Sequence, residues 1–88
     1  MKINPDFTIQ KVGSAYVAVP VGEASKTFRC MLQLNQTAAF LWEKMSAGDC
    51  TEEELVDALL GEYEIDRATA AADVHRIVEL LAENGIFA

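Results

Sequence analysis

Two cysteines and one histidine are the side chains of this sequence best suited to nucleophilic catalysis or zinc binding. Cys30 and Cys50 lie far apart in the chain, no Cys-x-x-Cys pair is present, and His75 is the only histidine. A four-ligand zinc site would require both thiols, the histidine and a carboxylate to converge, and nothing in the spacing favours that. We therefore predict that the protein binds no metal.

Each of these side chains also has a structural interpretation. Cys30 lies in an apolar run and is expected to be a small buried hydrophobic residue. Cys50 follows Asp49, whose charge disfavours the thiolate, so we expect an exposed and unreactive thiol. His75 is expected on the solvated side of a helix, with no Ser, Cys or acid placed to work with it as a general base.

Other catalytic and cofactor-binding motifs are also missing from the sequence. The five glycines are scattered, and they form neither a G-x-G-x-x-G string nor a phosphate-binding loop. The acidic run Thr51-Glu52-Glu53-Glu54 is explained by helix capping and by the positive end of the helix dipole. We therefore predict a protein that is not an enzyme, with no catalytic residues and no cofactor.

Size and charge exclude further classes of protein. The chain has 88 residues and a net charge of −7, which fits a single domain covering 1–88. Its second predicted helix and flanks carry six acidic residues and no Lys or Arg, so phosphate would be repelled and nucleic-acid binding is not expected. No apolar stretch is long enough to span a membrane, and no signal peptide begins the chain, so we expect a cytoplasmic protein.

The first half of the sequence predicts three β-strands. Phe7–Val12 and Ala15–Val19 have strand-like composition and flank the turn residues Gly13-Ser14, which is typical of a β-hairpin closed by Pro20. After a loop, Cys30–Leu34 is expected to form a third strand, with Cys30, Leu32 and Leu34 on one face and Met31 and Gln33 on the other.

From Asn35 onward the apolar residues follow a helical period. Asn35, Thr51 and Asp66 are good N-caps, and Gly85 stands where a left-handed residue is expected after the last helix. The predicted helices cover Gln36–Met45, Glu52–Tyr63, and a third that follows Asp66 and runs to about Asn84, after which Ile86 and Phe87 fold back as an apolar tail. The order predicts an α+β domain with a three-stranded antiparallel sheet followed by three helices.

Two features predict where a partner binds. The third strand has no Pro and no charge, and a three-stranded sheet has two edges, so this strand can accept an extended peptide. On the third helix, Leu80 lies outside the main apolar stripe and extends the apolar surface past Ile77. The alternatives are that Met1–Asp6 or the preceding loop covers the strand edge, and that Leu80 is a single exposed leucine.

The sequence also resembles a known family. The segments that carry the resemblance are Val19 to Lys26, Leu34 to Glu43 with its Leu-Asn-x-Thr-x-x-x-Leu-Trp pattern, Thr51 to Leu60, and Leu80 to Ile86. They resemble the PqqD family, and the likeness covers nearly the whole chain. This resemblance implies a winged-helix-like α+β fold of three strands and three helices. It also implies a non-catalytic recognition element for ribosomally synthesised, post-translationally modified peptides.

By the same resemblance, the leader of a precursor peptide adds as a strand to the third strand and rests against the third helix. A modifying enzyme, often a radical S-adenosylmethionine protein, then acts on the presented precursor, in pyrroloquinoline quinone biosynthesis or another pathway. Trp42 and Leu34 would support the core. The implied peptide-binding residues are Cys30, Met31, Leu32, Gln33, Leu34, Asp73, Arg76, Ile77 and Leu80.

Three questions stay open at the level of sequence. An acidic winged-helix regulator that binds a protein partner is the alternative function, and a small enzyme is the third. Arg29 and Arg76 favour an acidic leader, whereas the net charge of −7 favours a basic or neutral one. The open edge strand is compatible with both a monomer and a homodimer.

Overall fold

The first element of the fold is a β-hairpin. The computed structural model describes residues 1–22 and 32–88, in which β1 spans Phe7–Val12 and β2 spans Ala15–Pro20. The two strands pair antiparallel around Gly13, whose φ of 63° suits the first position of a type II′ hairpin turn. The predicted hairpin is confirmed, and β2 includes Pro20.

The third strand lies at one edge of the sheet. β3 spans Leu32–Leu34 and pairs antiparallel with β2, which gives the strand order β1-β2-β3. The predicted strand began at Cys30, but Cys30 and Met31 lie outside the described residues. Within the described part of the chain, the sheet therefore ends at β3 on one side and at β1 on the other.

Three helices follow the sheet, as the capping pattern predicted. α1 spans Gln36–Ala47, α2 spans Glu52–Glu62 and α3 spans Arg67–Glu83. The Asn35 side chain caps α1, and Thr51 and Glu54 form both hydrogen bonds of a capping box on α2. The sheet followed by three helices is the α+β arrangement expected from the sequence.

Small differences occur at the helix ends. α1 continues two residues beyond the predicted Met45, because Ser46 and Ala47 carry no feature that breaks a helix before Gly48. α2 ends one residue early, because Tyr63 has an extended backbone with φ −123° and ψ 151°. Helix boundaries commonly differ by one or two residues in this way.

The N-cap of α3 gives a testable pH dependence. The Asp66 carboxylate accepts a hydrogen bond from the backbone N–H of Thr69 at 2.7 Å, and this bonding lowers the pKa of Asp66 below its usual 3.8. A lowered pKa means that the stabilisation is present above pH 3.8 and is lost as the pH falls through the folded-state value. Asp66→Asn keeps a good N-cap that does not titrate. We expect the melting temperature of the wild type, relative to Asp66→Asn, to fall below pH 3.8; a pH-independent difference between the two would contradict this role.

The core lies between the inner face of the sheet and the three helices. α1 packs against β2 and β3, and α2 packs along α3. Trp42 and Leu34 are 2% and 4% exposed, so their predicted role as core residues is confirmed. The most deeply buried large side chains come from all three helices: Leu41, Met45, Leu55, Leu59, Val74 and Leu81.

The two ends of the chain pair with each other beside this core. Ile3 forms an isolated antiparallel bridge with Phe87, and the backbone N–H of Asn4 donates to the carbonyl of Ile86 at 2.9 Å. Gly85, with φ of 68°, turns the chain back after α3, so the predicted apolar tail is confirmed. Because Met1–Asp6 is engaged here, the alternative that it covers the edge of β3 is wrong. The other alternative, that the preceding loop covers this edge, falls on residues 23–31, which lie outside the described residues.

Cys50 and His75 differ in their exposure to solvent. The prediction that Cys50 is exposed is wrong: it is half-buried against the core, and its Sγ lies 3.4 Å from the carbonyl of Gly48. Its place in the short connection between α1 and α2 turns the thiol inward. His75 is exposed as predicted, but two carboxylates lie close to it, those of Glu52 at 3.4 Å and Glu79 at 3.2 Å.

Two structural features are absent from the described residues. No group of three or more His, Cys, Asp or Glu side chains within 1–22 and 32–88 is arranged to hold a metal ion. In the same ranges, no helix has the length and apolar character needed to cross a membrane.

Candidate peptide-binding groove

The direction of the backbone groups of β2 follows from the hairpin. The N–H of Val21 donates to the carbonyl of Asp6 at 2.7 Å, so this pair is hydrogen-bonded across the hairpin. Hydrogen-bonded pairs alternate along an antiparallel ladder, so the odd-numbered residues of β2 direct their backbone groups toward β1. The even-numbered residues, including Tyr16 and Ala18, direct theirs toward β3.

The same alternation identifies the outward-facing residue of β3. Tyr16 pairs with Leu34, and Ala18 pairs with Leu32, so these leucines direct their N–H and C=O groups inward to β2. Gln33 lies between them and therefore directs its N–H and C=O away from the sheet. No described residue outside β2 pairs with β3. Within the described residues, Gln33 thus presents one donor and one acceptor at an open strand edge.

A groove of about 340 Å³ lies beside this edge. Much of its lining is apolar. Leu34 and Ile77 are 4% and 3% exposed, and Leu80 is half-buried against the core. The groove is lined by residues from β3, the start of α1 and the side of α3: Gln33, Leu34, Asn35, Ala38, Arg76, Ile77 and Leu80. An open backbone edge next to an apolar groove suits the binding of an extended peptide by strand addition.

The structure brings five of the nine predicted site residues together in the groove: Gln33, Leu34, Arg76, Ile77 and Leu80. Leu32 lies one strand position beyond it in β3, and Asp73 lies one helical turn before Ile77, where its carboxylate is 3.3 Å from the Arg76 guanidinium. Cys30 and Met31 lie outside the described residues. The assignment of all nine to peptide binding stays a prediction.

Two groove residues were missed at the level of sequence. Asn35 was interpreted only as the N-cap of α1, and Ala38 only as a core residue. Both follow closely on β3, since α1 begins at Gln36. A helix that starts directly after an edge strand brings its first turn to that edge, and this adjacency was the signal available in the sequence.

Leu80 is more buried than a single exposed leucine would be. It packs against the core from α3 while still lining the groove. Because a helix places residues three and four positions apart on one side, Ile77 and Leu80 form a continuous apolar wall. The alternative that Leu80 is an isolated surface residue is therefore wrong.

A second and larger hollow, of about 720 Å³, lies at the opposite edge of the sheet, between β1 and α1. Its lining includes Phe7, Ile9 and Trp42, together with residues of both chain ends. The backbone N–H of Phe7 already donates to the carbonyl of Asn4 at 3.0 Å. Because residues of the paired chain ends line this hollow, the groove at β3 is the better site for a peptide that continues in both directions.

Comparison with known proteins identifies the family of this chain. Residues 27–86 match the family model of PqqD, described as coenzyme PQQ synthesis protein D. This chain belongs to the PqqD family. The resemblance noted in the sequence is therefore confirmed over most of the chain. Among curated proteins, none gives a significant match.

Two solved structures share the fold of this PqqD-family protein. One is TbiB1 in complex with the TbiA(beta) leader peptide, with a TM-score of 0.75, 22% identity, and coverage of 98% of this chain and 93% of that chain. The other is a lasso peptide synthetase B1 complexed with the leader peptide, with a TM-score of 0.72, 25% identity, and coverage of 97% of this chain and 93% of that chain.

Proposed function

We propose that this protein binds the leader segment of a ribosomally synthesised precursor peptide and presents the precursor to a modifying enzyme. The observation that carries the proposal is the outward backbone edge at Gln33, which no described residue pairs with, next to the apolar wall of Ile77 and Leu80. Membership of the PqqD family and the fold shared with two leader-bound proteins support it.

The binding mode follows from the two parts of the groove. The leader adds as an extended strand outside β3, exchanging backbone hydrogen bonds with Gln33, and its side chains on one face contact α3. Backbone pairing provides affinity for many sequences, while the groove selects side chains. Since a flexible leader must be ordered on binding, we expect a Kd of about 1–100 µM.

The contribution of the protein to the reaction is proximity, and the chemistry belongs to its partner. A bound leader holds the rest of the precursor near the modifying enzyme and raises its effective concentration. We propose a radical S-adenosylmethionine protein or another peptide-modifying enzyme as that partner. Precursors of this kind are made by ribosomes, so the proposal places the complex in the cytoplasm.

The same edge also affects self-association. A second copy of the chain could pair through β3, but that pairing would occupy the backbone groups of Gln33 that the leader requires. Leader binding and dimerisation through β3 therefore exclude each other. We propose that the monomer is the form that binds the leader.

The proposal is tested by NMR titration of the isotope-labelled protein with the synthetic leader of a short precursor encoded beside its gene. We expect the largest amide shifts at Gln33, Ile77 and Leu80, and small shifts at Ile9 and Glu43 in the second hollow. An equally long peptide of scrambled sequence is the control. Saturable shifts centred on the second hollow, or none with any encoded leader, would overturn the proposal.

A further inference from the structure

Arg76 lies at the rim of the groove and has N–H donors that its contact with Asp73 does not use. Its side chain is 69% exposed, and its Nη2 atom lies 3.3 Å from the carboxylate of Asp73. A guanidinium carries five N–H donors in a fixed fork, and this single long contact engages only part of that capacity. Arg76 is the only charged residue among those that line the groove in the described part of the chain.

Acidic side chains of α2 contact the other flank of α3. Glu52 of α2 contacts His75, and Asp57 of α2 contacts Arg67. At 100° per residue, His75 and Arg67 lie on one side of the helix axis, whereas Arg76 and Leu80 lie on the other. A helix is about 10 Å wide and the Debye length is about 8 Å at physiological salt. The acidic side chains of α2 are therefore largely screened from the groove, and within the described residues the charged side chain that lines it is Arg76, with the Asp73 carboxylate 3.3 Å away.

The spacing of Arg76 and Leu80 along α3 matches the spacing of alternate side chains in an extended peptide. Arg76 and Leu80 are four residues apart on α3, which corresponds to a rise of about 6 Å. Alternate side chains of a strand point to the same face and are about 6.6–6.8 Å apart. A strand that runs along α3 can thus place one side chain against Leu80 and the next one on that face at Arg76.

We propose that the groove selects leaders in which an acidic residue and a large apolar residue are separated by one position, with the carboxylate bound by Arg76 and the apolar side chain packed on Ile77 and Leu80. This specificity rests on the proposed function. It favours an acidic leader segment, because Arg76 has N–H donors that its one contact with Asp73 does not use, and a leader carboxylate can accept hydrogen bonds from them.

The test begins with selection of a random 12-residue peptide display library on the wild-type protein. We expect the enriched peptides to carry Asp or Glu two positions from Leu, Ile, Phe or Tyr. In the strongest binder, replacing that acid by its amide is expected to raise the Kd about 3- to 10-fold, the range for an exposed charge pair that is well oriented.

A charge exchange makes the test specific. Arg76→Glu should weaken binding of the selected peptide about 10-fold or more. Changing the acidic residue of the peptide to Lys should restore part of the affinity for that variant only. Arg67→Gln, the matched control on the other flank of α3, should leave the affinity unchanged. If Arg67→Gln weakened peptide binding as much as the matched Arg76→Gln does, the inference would be overturned, since equal losses of affinity would indicate a long-range effect of charge.

The outcomes also separate this inference from the proposed function. Enriched peptides that require Leu80 but show no preference for an acid would overturn the role of Arg76 alone. Enriched peptides that bind Leu80→Asp as well as they bind the wild type would overturn the groove, and with it both proposals.

Discussion

Replacing Gln33 by proline is expected to weaken leader binding about 10- to 100-fold while preserving the fold. Proline removes the outward N–H of Gln33 and leaves a carbonyl of the bound leader without its donor, which costs about 1–3 kcal/mol. Because this N–H does not face β2, no hydrogen bond of the sheet is lost, and proline is tolerated at such edge positions. The measurement is leader affinity by calorimetry, with circular dichroism to verify folding.

Two controls isolate the backbone effect at position 33. Gln33→Ala removes the side chain but keeps the N–H, and should change the affinity little. Lys11→Pro places the same substitution on the opposite edge of the sheet, since Lys11 pairs with Tyr16 and directs its backbone outward from β1. Unchanged affinity in a folded Gln33→Pro protein would show that the leader does not add to β3.

Replacing Leu80 by aspartate is the second substitution with a large expected effect. Leu80 provides half of the apolar wall, and a carboxylate at this position would also lie next to the leader in a partly dehydrated groove. Loss of one apolar anchor costs about 1.5–3 kcal/mol, so we expect binding to weaken at least about 10-fold. Because Leu80 is half-buried against the core, we also expect a moderate loss of stability, on the order of 1–2 kcal/mol.

The stability loss makes a matched control necessary. Leu60 of α2 is likewise half-buried against the core but does not line the groove. Leu60→Asp should therefore lower the unfolding free energy by a similar amount and leave leader affinity unchanged when both proteins are measured well below their melting temperatures. If both variants lose leader affinity equally, Leu80→Asp weakens binding by destabilising the fold, and the assignment of Leu80 to the groove is wrong.

The sequence by itself was sufficient for the elements of the fold. Local rules placed the hairpin turn at Gly13 and the N-caps at Asn35, Thr51 and Asp66, because turn and cap preferences depend on a few neighbouring residues. Helical periodicity likewise predicted the buried faces of the helices. The errors at Cys50 and at the end of α1 arise in the connection between α1 and α2, where no periodic pattern constrains the chain.

The site needed information of a different kind. Composition and spacing indicated that β3 could be an edge and that Leu80 enlarged the apolar side of α3. Only the tertiary structure showed that these two features adjoin, that Gln33 is the outward residue, and that Met1–Asp6 pairs with the tail instead of covering β3. Contacts between distant segments depend on how the elements pack together, and a pattern within one element does not specify that packing.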